Sequence, residues 1–467
     1  MTATATATAT ADGSQLHRIR TLAARLAERD RWSRDELLAY QQERLRGLVR
    51  DAVTNSPYYR DVLGRDAGRD PVLLEELPKL PKATLMEHFD ELVTDQRVTL
   101  AGIQAHLEGA DPDALFLGRY RVLSTSGTTG LRGVVVMGGE EFETWIALTM
   151  RVLAKIGLLP ETRLAALGAP SPLHWTNQLF SALRAGRKGA PRLSVLSPIE
   201  ETTDALDAYQ PEALLGYPSF HGVLAQEQLE GRLSIRPSVV GCGGEAVTGD
   251  VARRIDAAWG IRPTVIYAAT EAPILAAGSK EHDLLEIPED VVIVEVVDER
   301  DGPVPPGTAG AKVLVTNLVN RVQPLIRYEL SDAVTPAGGA NPTGRPYACI
   351  AGVEGRAADT LELPSRNGGV VAVHPVRLGA PFAGLLAVRQ FQILHDESGI
   401  TVHAVLRDPA AVDVLQHVRA ALVEALEEAG AVPPRVRVEA VTEIEREPGP
   451  AAKFRIVKSS VAGKRPG

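Results

Sequence analysis

Residues Ser238–Glu271 read SVVGCGGEAVTGDVARRIDAAWGIRPTVIYAATE. Ser238 to Gly241 is a short β-forming run that stops at glycines. Asp250 to Trp259 follows with apolar residues at helical spacing, and Thr264 to Tyr267 is a second β-branched run. Strand, turn, helix and strand in that order make a βαβ unit, because parallel neighbours need a crossover long enough to hold a helix. The second strand ends on Ala268-Ala269-Thr270-Glu271, so it delivers a carboxylate to the carboxyl edge of a parallel sheet, where ligands usually sit. Gly241-Cys242-Gly243-Gly244-Glu245-Ala246 also fits the G-x-G-x-x-A turn of dinucleotide-binding domains. It lies in mid-sheet, however, and the ribose-binding acid expected ~20 residues further on is missing, Glu271 being too distant. A dinucleotide turn, a plain strand–turn–helix and a different nucleotide-binding loop all remain open from these residues alone.

The same alternation extends outward. Leu164 to Leu167, Leu193 to Leu196 and Ala213 to Leu215 are short apolar strands, with helical patterns at Glu141 to Ile156 and Asp204 to Tyr209. The fold class is therefore α/β, a large N-terminal domain of mainly parallel sheets and helices. From Val291 the texture changes: Val291 to Val297 and Ala311 to Val315 flank the turn-rich Asp301 to Gly307 and predict a β-rich subdomain. Beyond Gly355 come strands near Gln390 to Leu394, Thr401 to Val405 and Val436 to Ala440, with an amphipathic helix over Ala410 to Ala429. These predict a small α+β C-terminal domain. Upstream, Leu16, Ile19, Leu22, Ala23 and Leu26 recur at helical spacing. Ser33 reads as an N-cap, Asn55-Ser56-Pro57 as a helix stop, and Leu77-Pro78-Lys79-Leu80-Pro81-Lys82 as an extended connection. Met1 to Asp12 alternates Ala and Thr, with neither the basic start nor the apolar centre of a secretory signal. The expected division is a disordered tail over 1–13, an N-terminal domain over 14–355 and a C-terminal domain over 356–467.

Composition sets outer limits. The chain has 467 residues, 50 basic against 59 acidic, and a net charge of -9, which argues against a nucleic-acid partner. Binding a single nucleotide needs only a local site. Two cysteines, Cys242 and Cys349, cannot make a disulfide framework, so a reducing, cytoplasmic setting is expected. No apolar run reaches ~18 residues, so no membrane span is expected. Only nine of the 50 basic residues are lysine, which makes each less readily dismissed as surface filler.

Five further stretches carry chemistry. Ser124-Thr125-Ser126-Gly127-Thr128-Thr129-Gly130-Leu131-Arg132-Gly133 combines glycines that admit close backbone approach with hydroxyl and N–H donors for an anion. It lacks the Gly-Lys-Ser/Thr of a Walker A loop. Tyr267-x-x-Thr270-Glu271 offers a carboxylate of the kind that binds Mg²⁺ together with phosphate oxygens. Arg327-Tyr328-Glu329-Leu330-Ser331-Asp332, Gly355-Arg356-Ala357-Ala358-Asp359 and the loop around Lys453 complete the set. Each alone also reads as a turn or a surface charge. His282, Asp283 and Glu286 read as a surface loop, since no cysteine set accompanies them to suggest zinc.

In this order the motifs resemble the adenylate-forming superfamily, which holds acyl-CoA synthetases, nonribosomal-peptide adenylation domains and luciferases. Ser56-Pro57-Tyr58-Tyr59-Arg60, Leu77-Pro78-x-Leu80-x-Lys82 and Pro324-Leu325-Ile326-Arg327-Tyr328 are similar to its phenylacetate–CoA ligase branch. The resemblance covers about residues 30 to 460. It implies that ATP and a carboxylic acid, aryl or arylalkyl, give an acyl-adenylate and pyrophosphate, with coenzyme A as the next acceptor. It also implies the roles. Ser126, Gly127, Thr128, Thr129 and Gly130 would form the loop on the β- and γ-phosphates. Gly243, Gly244 and Glu245 would line the adenine, and Tyr267 would stack on it. Thr270 would touch the α-phosphate and Glu271 would ligate Mg²⁺. Asp332 would bind the ribose, Arg356 the ribose or phosphates, and Lys453 would bridge the acid and the α-phosphate. His174, Trp175, Tyr217, Phe220 and Pro273, near the motifs, are the substrate-pocket candidates. The C-terminal domain would swing as a lid, and a homodimer is compatible with the pattern.

Four positions depart from that pattern: Arg132-Gly133 replaces Pro-Lys or Pro-Thr, Ala268 replaces glycine, Ala358 replaces the hinge acid, and Ala452 replaces the glycine before lysine. The last two fall in the part that serves the second half-reaction. They motivate two alternatives within enzymes: an amide ligase that acylates an amine, and a diazotase that activates nitrite, a small oxyanion, and acts on an aryl amine. A nucleotide-binding relative without turnover is the alternative outside enzymes; Glu271, Asp332, Arg356 and Lys453 speak against it.

Overall fold

The computed structural model describes residues 13–461, apart from 67, 108–113, 125–132, 160, 169–172, 185–189, 196, 357–360, 367, 374–377, 379–381, 383–386, 407, 409, 412 and 446–453. The tail expected over 1–13 lies outside the described residues except for Gly13, which opens the helix Gly13–Glu28. The next helix, Arg34–Asn55, begins where the sequence places it. Ser33 accepts from the Glu36 N–H while the Glu36 carboxylate accepts from the Ser33 N–H, a reciprocal capping box.

A nine-stranded sheet organises the body. Its parallel half runs Arg192–Ser194, Leu164–Gly168, Ala213–Gly216, Val239–Gly243, Thr264–Tyr267. This is the half that the β–α alternation predicts. The other half, Ala276–Ala277, Leu285–Glu286, Cys349–Arg356 and Asp332–Pro336, is antiparallel. Two of these four strands are two residues long, too short to leave a period in the sequence. The helix Gly139–Lys155 buries Phe142, Trp145, Ile146 and Leu148 within the largest core.

A three-stranded antiparallel sheet, Val292–Val297, Lys312–Asn317 and Tyr328–Leu330, stands beside it. The extended Leu77–Lys82 connection docks on its edge: the Leu80 N–H donates to the Arg327 carbonyl at 3.0 Å and the Glu329 N–H to the Leu80 carbonyl at 3.1 Å. Arg327 has a φ of 50°. Its guanidinium donates to both Glu295 carboxylate oxygens at 3.1 and 3.0 Å, and to the Leu77 carbonyl at 2.6 Å. The arginine of Pro324–Tyr328 is thus a structural tie, and it seats the tyrosine that follows.

The C-terminal part is a four-stranded sheet, Val436–Ala440, Gly399–Leu406, Val388–Asp396 and Val457–Ser459, packed by the helix Val414–Glu428. Val418, Leu422 and Leu426, four residues apart along one face, are fully buried, each contributing about 1.5–3 kcal/mol. This core draws on residues from Leu361 to Val457 only. Hydrogen bonds tie it to the body, among them Arg254 Nη2 to the Val388 carbonyl at 2.5 Å and the Phe454 N–H to Glu245 Oε1 at 2.8 Å.

Candidate active site

A cavity of about 650 Å³ opens at the carboxyl ends of the parallel strands, bounded by the body and by Gln390, Phe391 and Phe454 to Val457 of the C-terminal part. Its size is that of a small-molecule site. Three backbone segments supply one wall: Gly243 to Glu245, Tyr267 to Glu271, and Tyr328 to Asp332.

Gly244 has a φ of +79°, and a Cβ there would lie 2.9 Å from the Tyr217 ring. Glycine is therefore required both by backbone conformation and by space. Glu245 accepts from the Ser219 N–H at 3.2 Å and from the Phe454 N–H at 2.8 Å. The residue after Lys453 is thereby hydrogen-bonded to the Gly-Gly-Glu loop, although Lys453 itself lies outside the described residues.

Glu271 is 6% exposed. Its Oε1 accepts from the Tyr328 hydroxyl at 2.8 Å, and its backbone carbonyl accepts from the Asn317 side-chain amide at 2.9 Å. Thr270 and Ala268 line the same wall, so the Gly-to-Ala departure puts a methyl group on the cavity. The Tyr267 hydroxyl donates to Asp332 Oδ2 at 2.8 Å. Asp332 stands opposite Arg356 in the antiparallel register; the Arg356 side chain lies outside the described residues, as do Ser126, Gly127, Thr128, Thr129 and Gly130. The strands flanking that loop, Arg121–Ser124 and Val134–Met137, pair antiparallel with Ser124 opposite Val134, so the loop joins a hairpin.

A second set of lining residues forms an apolar wall: Leu153, Leu167, Leu179, Phe180, Leu215 and Trp175. Of the five predicted pocket residues, His174, Trp175, Tyr217 and Pro273 line the cavity. His174 Nδ1 accepts from the Thr176 N–H at 3.3 Å and lies 2.7 Å from its hydroxyl. Phe220 is a correction. It packs in the core with Leu224, Val240 and Ile255 and is absent from the cavity lining, because it lies on the core-facing side of the helix Pro218–Leu229 while Tyr217 caps the helix start. Sequence reasoning missed Tyr328 as a site residue, together with Phe180, Leu215 and the pair Asp250–Arg254. Arg254 Nε lies 3.0 Å from Asp250 Oδ2; burial pushes the Asp250 carboxyl up and Arg254 opposes it. For Tyr328 a signal existed, since Tyr267-x-x-x-Glu271 and Tyr328-x-x-x-Asp332 have the same spacing.

Behind the glycine loop, His221 is fully buried with Nδ1 3.5 Å from Cys242 Sγ. Burial holds His221 down at about 3 and pushes the Cys242 thiol up. Both are neutral groups at neutral pH, and both cysteines are free. Among the described residues no group of three His, Cys, Asp or Glu side chains could hold a metal, and no helix is long and apolar enough to cross a membrane. The donor set that fits a metal is Glu271, one buried carboxylate on a wall with room for phosphate, which suits Mg²⁺ bound through a carboxylate and substrate oxygens.

The family described as AMP-binding enzyme matches residues 71–316. A phenylacetate-coenzyme A ligase of Thermus thermophilus is 28% identical over 372 residues, 74% of this chain and 76% of that one. A solved 2-hydroxyisobutyryl-CoA ligase in its postadenylation state is similar with a TM-score of 0.70 at 20% identity, covering 90% of this chain and 89% of that one. The same ligase in its thioesterification state gives 0.58, covering 92% and 91%.

Proposed function

Because this chain belongs to the AMP-binding enzyme family, we propose that it activates a carboxylic acid with ATP, forming an acyl-adenylate and pyrophosphate, and passes the acyl group to coenzyme A. A carboxylate oxygen attacks the α-phosphorus, and the bond from phosphorus to the pyrophosphate oxygen breaks. The coenzyme A sulfur then attacks the acyl carbon, and AMP leaves. The observation that carries this reading is convergence: the adenine-loop candidates Gly243 to Glu245, the acid Glu271 and the ribose-binding candidate Asp332 share one cavity wall. Glu271 would hold Mg²⁺, which supplies positive charge against the phosphates, and Thr270 would touch the α-phosphate. Glu245 holds the backbone of Phe454, the residue that follows Lys453 in the chain; a lysine ammonium on its flexible stem would suit a bridge between carboxylate and phosphate. The apolar wall excludes water from the activated carbonyl.

The acid we infer is aryl or arylalkyl. Phe180, Trp175 and Tyr217 on the cavity support this, as does the likeness to a phenylacetate-activating relative. A second reading, motivated by Arg132-Gly133, Ala358 and Ala452, keeps adenylation but changes the partner: an amine acceptor, or nitrite activated for an aryl amine.

The test is pyrophosphate release from the full chain with ATP and Mg²⁺, across aryl acids, fatty acids and nitrite, with and without coenzyme A. Aryl-acid-dependent release with thioester formed only when coenzyme A is present is the expected result. Release that needs an acid yet yields no thioester would sink the coenzyme A step. Release with nitrite alone would replace the acid reading, and no release beside tight ATP binding would leave a binder.

A further inference from the structure

The cavity wall holds a crossed pair of hydrogen bonds. Tyr267 and Glu271 lie on the loop that ends the strand Thr264–Tyr267; Tyr328 and Asp332 lie on the segment that links the three-stranded sheet to the nine-stranded one. The phenol of each segment donates to the acid of the other, Tyr267 to Asp332 and Tyr328 to Glu271, both at 2.8 Å. Tyr328 is 1% exposed and Tyr267 7%; the Tyr328–Glu271 bond is buried and the Tyr267–Asp332 bond partly so. Tyr328 is itself fixed by its register opposite Val315 and by the Leu80 connection. Among the described residues, the Glu271 carboxylate has no other hydrogen-bond donor than this phenol.

We propose that the crossed bonds divide the wall's work, with Tyr328 the positioning residue for Glu271 and Tyr267 the positioning residue for Asp332. A carboxylate turns about its last single bond, and a ligand free to turn costs entropy when it binds. Tyr328 stops that rotation by engaging Oε1, which leaves Oε2 as the oxygen not taken up by the phenol. Partners behind a metal ligand orient it in this way, and their loss weakens metal binding. Tyr267 does the same for the ribose-binding candidate. Because each tyrosine serves the acid on the opposite segment, metal and ribose positions are set by one interlock rather than by two separate loops. The inference rests on the reading above that Glu271 meets the metal of metal–ATP and Asp332 the ribose.

The probe is Mn²⁺ with a non-hydrolysable ATP analogue, titrated against the full chain and followed by the electron-spin resonance of free Mn²⁺. Adenosine affinity, measured without metal by calorimetry, is the second readout. Tyr328→Phe is expected to weaken Mn²⁺ binding at least about tenfold and leave adenosine unchanged; Tyr267→Phe is expected to weaken adenosine and leave Mn²⁺ less affected. Equal Mn²⁺ affinity in Tyr328→Phe and wild type would overturn the proposal, and so would equal loss of both ligands in both variants, the mark of a mere brace. A wild-type chain that binds neither Mn²⁺–ATP nor adenosine would overturn the functional reading itself. A thermal melt checks each variant's folding, and should Tyr328→Phe not fold, the Tyr267→Phe pattern decides: selective loss of adenosine supports the interlock, loss of both ligands removes it.

Discussion

The two walls of the cavity are built on different terms. The wall proposed for the nucleotide is polar, and its side chains are committed: Glu271 to Tyr328, Asp332 to Tyr267, Glu245 to the Ser219 and Phe454 backbones. The apolar wall is formed by Leu153, Leu167, Leu179, Phe180 and Leu215, side chains that also belong to or pack against the surrounding cores. The first is specified by chemistry, where one atom out of place costs a bond. The second is specified by shape, where volume can be exchanged more freely. One wall should therefore set the rate and the other the choice of acid.

The largest expected effect tests the first half of that statement. Glu271→Gln keeps the shape and keeps an oxygen for the Tyr328 hydroxyl, but removes the charge. Turnover in the pyrophosphate-release assay should fall about 10²–10³-fold, the range for losing one preorganised electrostatic partner. The order of preference among acids should not change. A reordered preference would mean that the two walls are not separable.

Phe180 and Tyr217 sharpen the division. Phe180→Ala should raise KM for an aryl acid by about 10–200-fold, the worth of 1–3 kcal/mol of apolar contact, with KM for ATP unchanged. Tyr217→Ala should raise both, because the Tyr217 ring lies where a Gly244 Cβ would come within 2.9 Å and so touches both walls. Steady-state kinetics with each substrate varied in turn separates the cases. Equal effects of the two variants would show that Tyr217 belongs to the acid side alone.

Phe220 marks how far the sequence could be read. Phe220 and Tyr217 sit three residues apart near one strand end and look equivalent as letters, yet one lines the cavity and the other fills the core. Which side of a helix faces a ligand depends on packing that no local period encodes. The parallel strands were legible because they are apolar runs that alternate with helical periods. The two-residue strands Ala276–Ala277 and Leu285–Glu286 were not, since pairing partners far along the chain define them. Glu271 was legible because it follows the end of a parallel strand and Asp332 because its motif keeps its place in the order of motifs, while their phenol partners were not, because the crossing exists only once two sheets are assembled. Phe220→Leu is accordingly expected to lower stability by about 1–3 kcal/mol in a denaturant melt while leaving the acid preference as it was.

The smallest effect concerns His221, a titratable group buried behind these walls. His221 has its Nδ1 beside the Cys242 thiol and its Nε2 without a hydrogen bond, and burial holds it down at about 3 against about 6.5 in an unfolded chain. Between those values the unfolded state binds a proton that the folded state refuses, so stability must fall as pH drops from about 6.5 towards 3, and must be flat in this respect above 6.5. Replacing His221 by Gln removes the proton-binding site from both states. Thermal melts across that window should therefore show a shallower acid slope for His221→Gln than for the wild type, with parallel curves above pH ~7. Carboxylates contribute to acid unfolding in both proteins and cancel in the difference. Identical slopes would mean that His221 takes up its proton in the folded state, and the apolar wall would then have to be rebuilt around a charge.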